Sequence, residues 1–350
     1  RKNFLKKAGI GGAGLALGLS GASAFFANQE VPAKKAYDGD EDVSFYGKHQ
    51  AGITTPMQKA CYLVVLDLHT TDKKSNPALK DWTDYSSKLV DGELVKKDGS
   101  NALLPPTDTG ETVGLNPYRL SLTFGVSADF LKNWLGVQGP KLFRDLPPFP
   151  KEQLQDKYTG GDIVIQACAD DEQVAFHAVR NLIRKGRNKI TMKWSKSGFA
   201  AIGDRKETPR NLFGFKDGTA NVTTEKDFDK VLDRQQGLDE RWFLYGSSPS
   251  ANALGNLGPD QFAGARKHLW SLQGVPVAPF GKTNEFDEVD LSKLPVDSHV
   301  RLAKEGIRPI LRRSYSYSDG INEQTGQFDA GLIFIAFQKD PNSFVKSKPI

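Results

Sequence analysis

Apolar and polar positions cut the first half of the chain into four strands and two amphipathic helices. Cys61 to Leu68 (CYLVVLDL) is an apolar, β-branched run, the signature of a buried strand. Pro77 to Leu89 carries apolar residues at helical spacing. Tyr118 to Phe124 alternates apolar and polar and reads as a strand. Asp162 to Cys168 is a further strand. Asp171 to Arg184 is a helix with an acidic first turn and a basic last turn, the distribution that the helix dipole favours. Lys189 to Trp194 completes the set. Between these elements, Pro105–Gly110 is a loop, and Asp145–Lys157, with three prolines, is irregular. The order is β-α-β-β-α-β, the ferredoxin-like unit.

The second half is patterned less regularly. It predicts a helix over Lys226–Leu232 and strands over Val296–Leu302, Ile310–Tyr317 and Gly331–Gln338. The fold class is therefore α+β, with residues 45–197 as one ferredoxin-like domain and 198–350 as a second domain. At 350 residues each domain is large enough to bury a core of its own.

Charge changes the picture only at the start. The formal charge is +5, but residues 1–24 hold four bases and no acids, leaving 43 bases against 42 acids elsewhere. That balance gives no footing for nucleic acid as a partner. A basic stretch (Arg1, Lys2, Lys6, Lys7), a Gly- and Ala-rich apolar run from Ala8 to Leu19, and the small-residue site Ala22-Ser23-Ala24 read as a targeting segment over residues 1–28. The Phe4-Leu5-Lys6 that follows the basic pair is similar to a twin-arginine signal, with Lys2 at the second arginine. Export across the cytoplasmic membrane is expected, with the segment cleaved or kept as an anchor. Residues 29–44 are a polar linker. Cys61 and Cys168 both fall in strands and are expected to pack as small apolar residues; a disulfide between them is open. No C-x-x-C-H occurs, so covalent haem attachment is excluded.

Chemistry concentrates around Gly214-Phe215-Lys216-Asp217-Gly218-Thr219-Ala220-Asn221, a turn bracketed by glycines and carrying one acid. Alone it is an Asp-Gly turn of ordinary kind. Downstream come Asp297-Ser298-His299-Val300-Arg301-Leu302-Ala303 and Leu311-Arg312-Arg313-Ser314-Tyr315-Ser316-Tyr317-Ser318. An acid in a glycine turn, a histidine and an arginine are the ingredients of a haem site that handles peroxide. Among the five histidines, His299 stands apart because it opens an apolar strand after a Pro-Val-Asp-Ser turn. His49, His69, His177 and His268 read as polar side chains satisfied by their neighbours.

These motifs, in this order, together with Phe328–Gln338 and the opening Phe45–Pro56 (FYGKHQAGITTP), resemble the dye-decolourising peroxidase family. The similarity is greatest to its exported branch in iron-uptake systems, the deferrochelatase/peroxidases. The resemblance covers most of residues 45–235 and 277–340. Residues 234–276 depart from the family pattern, and the chain stops at Ile350 where the family continues.

The resemblance implies two ferredoxin-like halves in a dimeric, barrel-like α+β fold, and one non-covalent haem b per chain. It makes His299 the proximal iron ligand and Asp217 the distal acid–base group. Arg312, the first of the arginine pair, becomes the distal cation. Strand alternation lets only one of Arg312 and Arg313 enter the pocket, and a shifted register would exchange them. Gly214, Phe215, Gly218 and Thr219 would line the haem, and Asp340 is a candidate acceptor for the second ring N–H of His299. The implied partners are hydrogen peroxide, a reducing donor (organic or ferrous iron), iron-permease and iron-binding subunits at the membrane, and a second copy of the chain. Two other readings stand beside peroxidase: release of iron from haem with the porphyrin intact, and a non-catalytic haem- or iron-delivery subunit of a permease. The aromatic residues, among them Tyr315, Tyr317 and five tryptophans, are read as core.

Overall fold

A central strand with both faces covered organises the molecule. The computed structural model describes residues 43–69, 77–96, 106–139, 142–143, 145–149, 154–202, 210–212, 218, 221–232, 309–323 and 326–345. The first half contains β1 (Ala60–Leu68), α1 (Pro77–Val90), β2 (Ser121–Val126), β3 (Ile163–Ala169), α2 (Glu172–Gly186) and β4 (Ile190–Phe199). The strands lie β2-β3-β1-β4, antiparallel throughout, which is the ferredoxin-like order expected from the pattern.

Successive side chains of β1 go to opposite faces. Val64, Leu66 and Leu68 pack with Trp82, Tyr85, Leu89, Val179 and Leu182 under the two helices. Cys61, Leu63 and Val65 pack on the other face with Trp194, Tyr315, Tyr317, Ile333 and Phe337. Burial on both faces explains why β1 reads as one apolar run. Each such fully buried side chain contributes roughly 1.5–3 kcal/mol. Helix α2 begins where Asp171 accepts the N–H of Val174 at 3.1 Å, and Trp82 Nε1 of α1 donates to the Leu182 carbonyl at 2.8 Å.

The second half supplies α3 (Glu225–Leu232), β5 (Leu311–Arg312), β6 (Tyr315–Asn322), β7 (Gln327–Ile333), β8 (Ala336–Phe337) and the short α4 (Asn342–Val345). The strands expected over Ile310–Tyr317 and Gly331–Gln338 are each interrupted, yet the antiparallel register runs unchanged from Leu311↔Phe337 and Arg312↔Ala336 to Tyr315↔Ile333. The Arg313 N–H, donating to the Ile335 carbonyl at 2.8 Å, carries it across the interruption. β6 joins the edge of the first-half sheet by the pair Phe199↔Ser316, giving one six-stranded sheet, β2-β3-β1-β4-β6-β7. Among the described residues this sheet is open, so the barrel-like closure is not part of what is seen. The strand expected over Val296–Leu302 lies outside the described residues, as do the segment 1–42, residues 234–276 and the terminal five residues.

Gly198 makes the join. A Cβ there would sit 2.8 Å from both Tyr315 Cβ and Ile333 Cδ1, so a side chain would push the second half off β4. Lys196, on the same strand, is 4 % exposed and pairs with Asp319 of β6. Its ammonium lies 4.1 Å from the Tyr317 ring centroid and 4.8 Å from that of Tyr158. Burial alone lowers the Lys196 pKa, but the Asp319 carboxylate outweighs it and the net shift is upward.

Candidate active site

The glycine turn and the arginine pair are joined by one side chain. Asn221 Nδ2 donates to the Arg312 carbonyl at 2.6 Å, and Asn221 Oδ1 accepts the Arg312 N–H at 2.9 Å. A carboxamide offers one donor and one acceptor side by side, so it pairs with a strand residue as another strand would. The Asn221 N–H in turn donates to the Gly218 carbonyl at 2.9 Å, closing the turn. Gly218 adopts φ +127°, a conformation that side chains resist, which accounts for glycine after Asp217.

The turn runs into α3. Thr224 Oγ1 accepts the Asp227 N–H at 3.3 Å and donates to Asp227 Oδ2 at 2.7 Å, fixing the helix start. The far end buries Val231 and Leu232, and the Val231 carbonyl accepts the Lys339 N–H at 3.0 Å. Turn, helix and the β5/β8 ladder are thus held as one frame.

The two arginines part company on that frame. Arg313 is 4 % exposed and shares its face with Leu311, Tyr315 and Tyr317. Its guanidinium donates to the carbonyls of Thr55 (2.5 Å) and Pro56 (3.3 Å) and to Gln58 Oε1. Arg312 is half-buried, and alternation sends its side chain to the opposite face. The register therefore places Arg312, not Arg313, on the face away from the β1 core.

The opening motif has a structural task. Gln50 Nε2 donates to the Phe124 carbonyl at 3.1 Å, and its Oε1 accepts the Phe124 N–H at 2.9 Å. This repeats the Asn221 device on β2, the edge strand of the sheet. Gly52, at φ +93°, lies where a Cβ would come 2.3 Å from Thr123 Oγ1. From there Thr55, Pro56 and Gln58 reach Arg313, so the motif links the β2 edge to the arginine strand.

The remaining expected residues divide in three. Asp217, His299, Gly214, Phe215 and Thr219 lie outside the described residues, as does His268. Asp340 is half-buried, and its Oδ1 accepts the Asn342 N–H at 2.9 Å at the entry to α4. His69 is exposed and bonds Thr191 at 2.5 Å. His177 is 2 % exposed; its Nδ1 bonds Glu111 at 2.7 Å, and its Nε2 lies 3.6 Å from Asp108. It is the satisfied interior histidine that its helical position suggests. Burial pushes the Glu111 carboxyl up, but the hydrogen bonds from Thr109 and His177 bring it down to about 2. Sequence reasoning assigned no role to Asn221, Gln50 or Gln58. The signal was available for Asn221, a carboxamide four residues after the acid in a turn that must be fixed to something.

The comparisons with known proteins agree with this frame. The model "Dyp-type peroxidase, N-terminal" matches residues 50–200, and "Dyp-type peroxidase, C-terminal" matches residues 277–347. The chain belongs to the Dyp-type peroxidase family. It is 32% identical over 378 residues to a protein named Deferrochelatase of Escherichia coli (strain UTI89 / UPEC), covering 97% of this chain and 85% of the relative. A Deferrochelatase of strain K12 is 32% identical over 350 residues, covering 89% and 79%. Among solved structures, a DyP-type peroxidase of Streptomyces coelicolor superposes with TM-score 0.74 at 28% identity, covering 88% of this chain and 87% of that one. Ferric DtpA of Streptomyces lividans gives the same TM-score, 0.74, at 28% identity and the same coverage, 88% and 87%.

Proposed function

We propose that the chain is an exported b-type haem peroxidase that reduces hydrogen peroxide at the expense of an organic donor or ferrous iron, in the service of iron uptake. The observation that carries this reading is the Asn221 clamp. It ties the segment that follows Asp217 directly to the backbone of Arg312. The clamp fixes the Arg312 backbone to the turn residue Asn221, four positions after Asp217 in the sequence.

Two of the described residues suit a haem. Arg312 is a half-buried guanidinium on the face away from the β1 core, and the glycine turn offers backbone with no side chain at Gly218. His299 would hold the iron through one ring nitrogen, with Asp340 as acceptor for the other N–H. Gly214, Phe215, Gly218 and Thr219 would lie against the porphyrin. Bound haem supplies the iron at which the peroxide O–O bond breaks and the oxidising equivalents are kept.

The chain's own residues manage protons and charge. Asp217 would take a proton from one oxygen of hydrogen peroxide and return it to the oxygen that leaves as water. Through its guanidinium, Arg312 would stabilise the negative charge that develops on both oxygens. Its backbone, fixed by Asn221 and by Ala336 across the ladder, holds the base of that long side chain.

A second reading, removal of iron from haem with the porphyrin ring intact, is favoured by the name carried by the Escherichia coli relatives. Product analysis separates the two: metal-free porphyrin after haem loading supports iron release, and porphyrin that keeps its iron through peroxide turnover counts against it. The haem reading itself is tested by absorption spectroscopy of the purified full chain. A Soret band of one haem per chain is expected, and it should be lost or strongly shifted in His299→Ala. An unchanged band in that variant would sink the ligand assignment.

A further inference from the structure

Behind the arginine strand, on the face away from Arg312, lies a cluster the peroxidase chemistry does not use. Cys61 and Cys168 are direct cross-strand partners on β1 and β3. Residues so paired in antiparallel strands have Cα atoms about 4.5–5.5 Å apart. That lies inside the range of about 4.4–6.8 Å that a disulfide spans. Both side chains are turned to one core, 1 % and 0 % exposed, and both thiols are free.

Arg313 faces the same pair. Its described acceptors, the carbonyls of Thr55 and Pro56 and the amide oxygen of Gln58, are all neutral. The groups that favour its charge are Tyr315, Cys168 and Cys61, and among the described residues no carboxylate pairs with it. A buried cation without an anion is costly. Two buried donors beside it, Arg313 Nε and Tyr315 Oη, have no hydrogen-bond partner among the described residues. Cys61, Cys168 and Tyr315 lie in the core on the Arg313 side of that strand. Burial pushes the Cys168 thiol up, but the Cys61 donor, the Arg313 charge and the Tyr315 hydroxyl bring it down to about 6, while Cys61 is pushed up.

We propose that Cys61 and Cys168 are a peroxide-reactive dithiol in which Cys168 is the attacking thiolate, Cys61 the resolving thiol, and a cross-strand disulfide the product. Cys168 Sγ attacks one oxygen of hydrogen peroxide. The O–O bond breaks, leaving a sulfenic acid on Cys168 and hydroxide, which takes up a proton. Cys61, losing its proton, attacks the Cys168 sulfur, forms the S–S bond and expels hydroxide, which leaves as a second water with that proton. Two thiols and one peroxide become one disulfide and two waters. Hydrogen peroxide is little larger than water and reaches the pair through local opening of the β6–β7 side. The proposal takes only the oxidant from the peroxidase reading and no step through haem.

The test uses the purified full chain, reduced and freed of reductant, then exposed to hydrogen peroxide in excess. Samples are acid-quenched, unfolded and treated with N-ethylmaleimide before intact-mass and peptide analysis. The expected result is loss of both alkylatable thiols, a mass lower by two hydrogens, and a peptide linking Cys61 to Cys168, all reversed by dithiothreitol. In Cys61→Ser, dimedone should label Cys168. Retention of both thiols while peroxide is consumed, or their irreversible conversion to higher acids, overturns the dithiol. Equal dimedone labelling of Cys61 in Cys168→Ser overturns the division of roles. Absence of a Soret band would speak against the haem reading alone and leaves this readout standing.

Discussion

Asn221 holds Arg312 by both backbone groups, its amide donating to the carbonyl at 2.6 Å and accepting the N–H at 2.9 Å. The pair is separated by 91 residues in sequence, and it joins the acid turn to the strand that carries the cation. Replacing Asn221 by alanine removes both bonds and leaves a half-buried N–H and carbonyl unpaired. The expected loss of stability is about 1–3 kcal/mol. The expected functional signature is a slower reaction with peroxide at nearly unchanged haem content, measured by stopped-flow absorbance against denaturant unfolding. A variant that loses stability and keeps the full peroxide rate would reduce Asn221 to a structural clamp.

The same device on the β2 edge has a different consequence. Gln50→Ala should expose the Phe124 backbone, speed hydrogen exchange of its amide, and cost about 1–2 kcal/mol without altering the peroxide reaction. Exchange at Phe124 that matches the parent protein would show that the edge is held by other contacts.

Gly198→Ala tests how the halves meet. Its Cβ would contact Tyr315 and Ile333 at 2.8 Å, and such overpacking costs about 1–3 kcal/mol. The loss should appear as faster proteolysis or exchange in β6 and β7, with the first-half strands least affected.

Acid should loosen the loop over residues 106–115. The Glu111 carboxyl is held at about 2, below its ordinary value of 4.5, by Thr109 and His177. A depressed carboxylate contributes stability that is fully present above its unfolded value and is lost as pH falls toward the folded one. Stability should therefore decline between about pH 4.5 and pH 2, and Glu111→Gln should flatten that part of the profile. An identical acid profile for the variant would assign the decline to other groups.

The first-half fold is legible in sequence because period and burial agree there. β1 is apolar throughout because two cores claim it, and α2 announces its ends with Asp171 and with Arg184 and Lys185. The expected β-α-β-β-α-β order and its sheet are what the structure contains. The second half was harder to read because its strands depend on partners far along the chain. The interruption between Arg312 and Tyr315 arises where Arg313 turns into the β1 core to reach Thr55, Pro56 and Gln58, a requirement that no local pattern encodes. The single bridge Phe199↔Ser316, which merges the halves into one sheet, is likewise invisible to periodicity. In the candidate site, the residue types were legible as motifs, whereas the Asn221 clamp needed coordinates. The expected roles of Asp217 and His299 stand on the resemblance and on the proposal above.

The central claim is that Asp217 and Arg312 act on peroxide as one unit, and a double-mutant cycle on its second-order reaction rate tests it most directly. Haem-loaded wild type, Asp217→Asn, Arg312→Leu and the double variant are compared by stopped-flow absorbance at matched haem content. Each single change should slow the reaction by about 10²–10⁴-fold. The double variant should be little slower than the slower single one, because residues that work as a unit are not additive. Rate losses that multiply in the double variant, or single variants that react at the wild-type rate, contradict the account.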